Sequence, residues 1–144
     1  MATRPTFFVD RSLGKGVGRA LRDAGATVEL HDDYFAQETA DVDWIATVTQ
    51  NGWVILTKDK YIRRRRNERD VVQSAKARIF TLRNGNMRGA DMAAIFVAQL
   101  TRMEELATTE PPFVYLVDAN GCELAQLAPV PPPTATEADA EPNE

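Results

Sequence analysis

Gly52-Trp53-Val54-Ile55-Leu56-Thr57-Lys58-Asp59-Lys60-Tyr61-Ile62-Arg63-Arg64-Arg65-Arg66 is the stretch on which the reading of this chain turns. Trp53 to Leu56 is an unbroken run of aromatic, β-branched and aliphatic residues with no polar alternation. Such a run suits a strand covered on both faces, as in a parallel sheet. It ends in Thr57-Lys58-Asp59, placing a hydroxyl, an ammonium and a carboxylate at the strand's carboxyl end. Open α/β sheets build their ligand sites there. A dense basic cluster follows at once. Carboxylates hold divalent metals and arginines hold phosphates, so the stretch points to metal-dependent work on nucleic acid.

The flanking sequence repeats the design. Thr6-Phe7-Phe8-Val9-Asp10 is a second apolar strand closed by a carboxylate. Leu13, Val17, Ala20, Leu21 and Ala24 recur at helical spacing, and Gly25 stops that helix. Thr27 to His31 reads as a short strand, and Asp41 opens a helix with Trp44, Ile45 and Val48 on one face. The basic segment from Lys60 to about Ala75 is rich in helix formers and predicts a solvent-facing helix. Arg78 to Leu82 gives a fourth strand, and Gly89 to Leu106 one long amphipathic helix that serves either a dimer or the core. Phe113 to Asp118, Asn120-Gly121 and Cys122 to Leu127 read as a strand, a hairpin turn and an antiparallel edge strand. Strand–helix alternation of this kind predicts an α/β fold, a mainly parallel sheet with helices on its faces. Residues 1–128 form this domain. Residues 129–144, rich in proline, alanine and acids, read as a disordered tail.

The totals narrow the class. The 144 residues are enough for one domain with a real core. No apolar run approaches a membrane span, and the start lacks the apolar core of a signal peptide. The single cysteine, Cys122, excludes an internal disulfide framework and a cysteine metal cage within one chain. A cytoplasmic protein with no membrane partner is the simplest fit. The net charge of −4 conceals segregation: Glu137, Asp139, Glu141 and Glu144 all lie in the tail, and residues 1–128 are neutral. Lys58 to Arg69 holds seven basic residues against Asp59 and Glu68, a local excess that attracts polyanions.

Three carboxylates therefore stand out. Asp10 ends the first strand, Asp59 follows the third, and Asp41 begins the helix between them. If the two strands are neighbours, the acids meet at one sheet edge. Close carboxylates repel unless a cation joins them. Oxygen ligands alone suit Mg²⁺ or Mn²⁺. The competing reading makes Asp41 a helix N-cap and leaves Asp10 and Asp59 as ordinary loop or capping acids. Asp43 rivals Asp41 and is ranked as the capping or supporting acid. Lys58, Lys60, Arg63, Arg64, Arg65 and Arg66 are the RNA-contact candidates, with Tyr61 as a stacking surface; a solvated helix or a protein-docking face is the alternative. The run Gly14-Lys15-Gly16-Val17-Gly18 lacks a full dinucleotide fingerprint. His31, alone of its type, reads as a strand-end residue. Ser12 and Cys122 have no adjacent histidine to make a nucleophile.

With Phe7 to Ser12, Asp41 to Ile45 and Trp53 to Asp59 lined up, residues 6–127 resemble the PIN-like domains. They are most similar to small bacterial members related to the VapC-type toxins of type II toxin–antitoxin systems. The resemblance implies a three-layer α/β/α sandwich, Mg²⁺ or Mn²⁺ held by Asp10, Asp41 and Asp59, and single-strand endoribonuclease activity. It also implies that Thr57 supports Asp59 and that an antitoxin protein restrains the enzyme. Such domains often have a fourth acid, for which Asp91 and Asp118 are candidates. A non-catalytic module that binds RNA or protein through its basic helix is the second class. A phospho-acceptor receiver fits poorly, because it needs paired acids at its first strand and Asp10 follows Phe8-Val9.

Overall fold

β1 (Thr6–Val9) and β3 (Val54–Thr57) are the apolar runs of the sequence, and every residue of β3 is buried. A computed structural model of the chain, describing residues 4–59, 62 and 65–127, places them side by side and parallel. Phe8 stands opposite Ile55 and Val9 opposite Leu56. The predicted tail, 129–144, lies outside the described residues.

Parallel neighbours cannot be joined by a hairpin, so helices carry the chain back across the sheet. α1 (Lys15–Asp23) returns it to β2 (Thr27–Leu30), which pairs with the other edge of β1. α2 (Asp41–Gln50) leads to β3, and α3 (Arg66–Ala75) leads to β4 (Arg78–Leu82). α4 (Gly89–Ala98) and α5 (Leu100–Leu106) lead to β5 (Phe113–Asp118), and a tight turn leads to β6 (Gly121–Leu124). The sheet order is β2-β1-β3-β4-β5-β6, with only the β5–β6 pair antiparallel. This is the expected mainly parallel sheet with an antiparallel edge.

Side-chain alternation along each strand divides the core in two. Phe7, Val9, Val54, Leu56 and Phe80 pack against Val17 and Leu21 of α1 and against Met92, Phe96, Leu100 and Met103 of α4 and α5. Phe8, Ile55 and Ile79 pack against Trp44, Ile45 and Val48 of α2 and Val72 of α3. Helices thus cover both faces, giving three α/β/α layers. Each large side chain fully withdrawn from water contributes about 1.5–3 kcal/mol.

Several boundaries differ from expectation. α1 starts at Lys15, because Gly14 at φ +81° separates it from a 3₁₀ turn, Arg11–Leu13, which buries Leu13. α3 starts at Arg66 rather than Lys60. Ile62 is fully buried in the core, and its amide bonds the Asp59 carbonyl at 3.2 Å. Ile62 itself lies in a turn. The long helix is interrupted at Gln99, whose backbone leaves helical geometry (φ −99°, ψ 7°) and whose side-chain amide donates to the Ala119 carbonyl at 3.3 Å. The apolar period runs through this break and serves the core. β6 ends at Leu124, short of Leu127, although Ala125 adds one more bond to Val114. No helix among the described residues is long and apolar enough to cross a membrane.

α3 closes on Lys76 in the left-handed conformation (φ 61°, ψ 54°), the position where glycine is favoured because it has no Cβ to clash. Lys76 is exposed, so little but backbone strain is at stake. Lys76→Gly is expected to stabilise the protein by about 0.5–1 kcal/mol in urea unfolding; destabilisation would contradict this backbone geometry.

Candidate active site

The strand order reverses at β1: the chain leaves it for β2 on one side and later adds β3 on the other. Connections run away from each other at that point, and a crevice opens beyond the carboxyl ends of the two strands. Asp10 follows β1 there and Asp59 comes two residues after β3. The pair is tied together by backbone and side chain. The Asp10 amide donates to the Leu56 carbonyl at 2.9 Å, extending the ladder by one bond. The buried Thr57 hydroxyl donates to Asp10 Oδ2 at 2.7 Å and accepts the Asp59 amide at 3.1 Å. One hydroxyl therefore fixes both acidic loops. The resemblance implied support for Asp59; the geometry adds that the Thr57 proton goes to Asp10. Ser12, set aside as a nucleophile, donates to the same Asp10 oxygen at 2.9 Å.

Asp41 is the first residue of α2, and Ala40 occupies the capping position. Its carboxylate accepts the indole N–H of the buried Trp44 at 2.9 Å, so it is oriented by a core residue rather than spent on capping. Asp43 is exposed and is not among the residues that line the cavity. Asp10, Asp41 and Asp59 line a single cavity of about 650 Å³, together with Lys58 and Arg65. Arg65 divides its guanidinium between Asp59 and Glu68. Arg66 opens α3 and is not among the lining residues. Lys60, Tyr61, Arg63 and Arg64 lie outside the described residues.

The opposite wall was not foreseen. Asn84, Gly85 and Asn86 follow β4 and complete the cavity, with the Asn86 amide donating to Asn84 Oδ1 at 2.9 Å. A Cβ on Gly85 would stand 3.0 Å from both Cβ and the carbonyl oxygen of Lys58, so glycine permits the two loops to touch. A signal was present, since this turn follows a buried strand at the same sheet edge. His31 also lines the cavity. It is buried among Phe8, Phe35 and Trp44, with Nδ1 3.4 Å from Asp32, which pairs with Arg11.

Neither candidate fourth acid reaches this cavity. Asp91 pairs with Arg88 at 3.3 Å, one turn away on the same helix. Asp118 sits at the β5–β6 hairpin, where the Asn120 amide and then Arg83 hold its carboxyl below the ordinary aspartate value. Nor does Gly14 to Gly18 cradle a phosphate: a Cβ on Gly18 would lie 2.5 Å from Leu30, so that glycine serves close helix–strand packing.

The donor chemistry of Asp10, Asp41 and Asp59 is that of a hard divalent cation, all oxygen and all anionic. Their spacing is looser than a coordination shell. Among the described residues no three acidic, histidine or cysteine side chains converge on one ion.

Residues 5–84 match a family described as a PIN-like domain. Over 115 residues the chain is 36% identical to a Mycobacterium tuberculosis protein named "Putative ribonuclease VapC45", covering 76% of this chain and 83% of that protein. No solved structure gives a match.

Thr57→Val keeps the shape of the side chain and deletes the hydroxyl shared by Asp10 and Asp59. Unfolding in urea is expected to show a loss of about 1–3 kcal/mol, the cost of leaving buried polar partners unpaired. Ser12→Ala, at an exposed hydroxyl, is expected to cost about 0.5 kcal/mol or less; equal costs would deny Thr57 its bridging role.

Proposed function

Because the chain belongs to the PIN-like domain family, we propose that it is a metal-dependent single-strand endoribonuclease, a toxin-like component restrained by an antitoxin protein. The observation that carries this reading is the meeting of Asp10, Asp41 and Asp59 with Lys58 and Arg65 around one crevice at the strand-order reversal. The likeness to a mycobacterial protein with a ribonuclease name supports it.

Asp10, Asp41 and Asp59 would hold Mg²⁺ or Mn²⁺. In such a site a divalent cation supplies charge neutralisation at the phosphate and activation of water. Lys58, a residue of the crevice lining next to Asp59 in the chain, binds the phosphodiester and orients it toward the acids. Thr57 and Ser12 keep the Asp10 carboxylate in one orientation, and Trp44 does the same for Asp41. Fixed acids need no reorganisation when charge develops on the phosphate. Lys60, Arg63 and Arg64 extend the basic character of the sequence that follows Asp59.

The hold of Arg65 on Asp59 favours one other reading, a non-catalytic module that binds RNA without metal. The two separate by chelation. RNA binding that persists in EDTA and in Asp10→Asn, measured by fluorescence anisotropy with no cleavage under any metal, would select the module.

For the enzyme, the test is cleavage of a pool of labelled single-stranded RNA with Mn²⁺ present. Asp59→Asn is expected to lower the rate by at least about 100-fold, roughly 2.7 kcal/mol of barrier, with an unchanged circular dichroism spectrum. Cleavage by this variant at the wild-type rate would overturn the assignment.

A further inference from the structure

Arg65 occupies an unusual station for a residue in a basic cluster. It is the N-cap of α3, and its side chain turns into the crevice instead of standing out in solvent. Its Nη2 contacts Asp59 Oδ2, and its Nε contacts Glu68 Oε1 three residues along the first turn of α3. Arg65 and Asp59 are each 26% exposed, so their attraction is only partly screened by water. A cation thus already sits on one of the three acids, while those acids fail to converge on a shared point.

We infer that Arg65 is an internal counter-cation that competes with the divalent metal for Asp59, and that Glu68 is the anchor onto which it withdraws. This rests on the metal reading of the site. The competition is a matter of charge and occupancy. A carboxylate oxygen that accepts a guanidinium N–H offers less electron density to a metal, and the guanidinium adds a positive charge beside the incoming one. Glu68 lets the arginine release Asp59 without becoming unpaired, because its Nε contact uses a different edge of the same fork. Coupling of this kind is reciprocal: whatever Arg65 costs the metal in affinity, the metal costs the Arg65–Asp59 pair. The arrangement offsets part of the negative charge of the acid loops when no metal is present. It also makes the site respond to metal concentration over a higher range than three free carboxylates would.

The test is calorimetric Mn²⁺ binding to the full chain, needing no substrate. Arg65→Gln is expected to tighten binding about fivefold, whereas Arg66→Gln, the same charge change outside the cavity lining, shifts it by less than about twofold. Glu68→Gln is expected to weaken binding in the wild-type background and to have little effect in Arg65→Gln, the pattern of a residue acting through another. A second readout does not depend on the variants folding. In the ¹⁵N-labelled wild type, the Arg65 Nε–Hε resonance should move with Mg²⁺ and saturate where binding saturates. Wild type that binds Mn²⁺ while Arg65→Gln binds no more tightly, or a resonance that stays still during Mg²⁺ binding, overturns the inference and leaves the metal reading intact. Folded wild type and Arg65→Gln that both ignore millimolar Mn²⁺ overturn both.

Discussion

A single buried hydroxyl joins the two halves of this fold at the point where they would otherwise part. β1 and β3 are parallel neighbours, and the chain diverges from them toward opposite edges of the sheet. The ladder itself reaches only one bond further, from the Asp10 amide to the Leu56 carbonyl. Thr57 supplies the further link, since a hydroxyl can donate and accept at once. It donates to the acid following β1 and accepts from the backbone of the acid following β3. The placing of Asp10 against the Asp59 loop rests on this side chain, which accounts for a threonine standing fully buried in an otherwise apolar strand.

The rest of the architecture exists to keep those two strand ends in register. Both faces of β1 and β3 are covered, so a slip by one residue would exchange Phe7 and Val9 with Phe8 between two differently shaped cores. That penalty fixes the register, and the register fixes the acids. Trp44 shows the same economy in α2. Its ring fills the core beside Phe8 while its indole N–H reaches Asp41, so packing and site geometry are set by one residue.

Much of this was legible in the sequence. Trp53 to Leu56 and Thr6 to Val9 declared buried parallel strands because they lack alternation, and the acids closing them declared the edge where a site would form. Asp41 was legible because a helix start is marked by the apolar period behind it. The features that escaped depend on contacts that no local periodicity encodes. Four consecutive arginines give no cue that Arg65 turns inward, and helix formers from Lys60 onward concealed that Ile62 is needed in the core. The break at Gln99 left no trace, because Phe96, Leu100 and Met103 keep helical spacing across it. Asn84 to Asn86 read only as a turn; its place opposite Lys58 follows from β4 lying next to β3.

The bond between the Trp44 indole and Asp41 has an optical consequence. An indole whose N–H is hydrogen-bonded to a carboxylate has its excited state tuned by the charge on that carboxylate. Any event that neutralises or redirects Asp41 changes the field at the ring. The protein therefore carries its own fluorophore in the crevice wall, joined to Asp41 by 2.9 Å of hydrogen bond. Trp53, the other tryptophan, lies against Tyr34 and Phe8, so its replacement by phenylalanine would leave Trp44 as the single indole emitter.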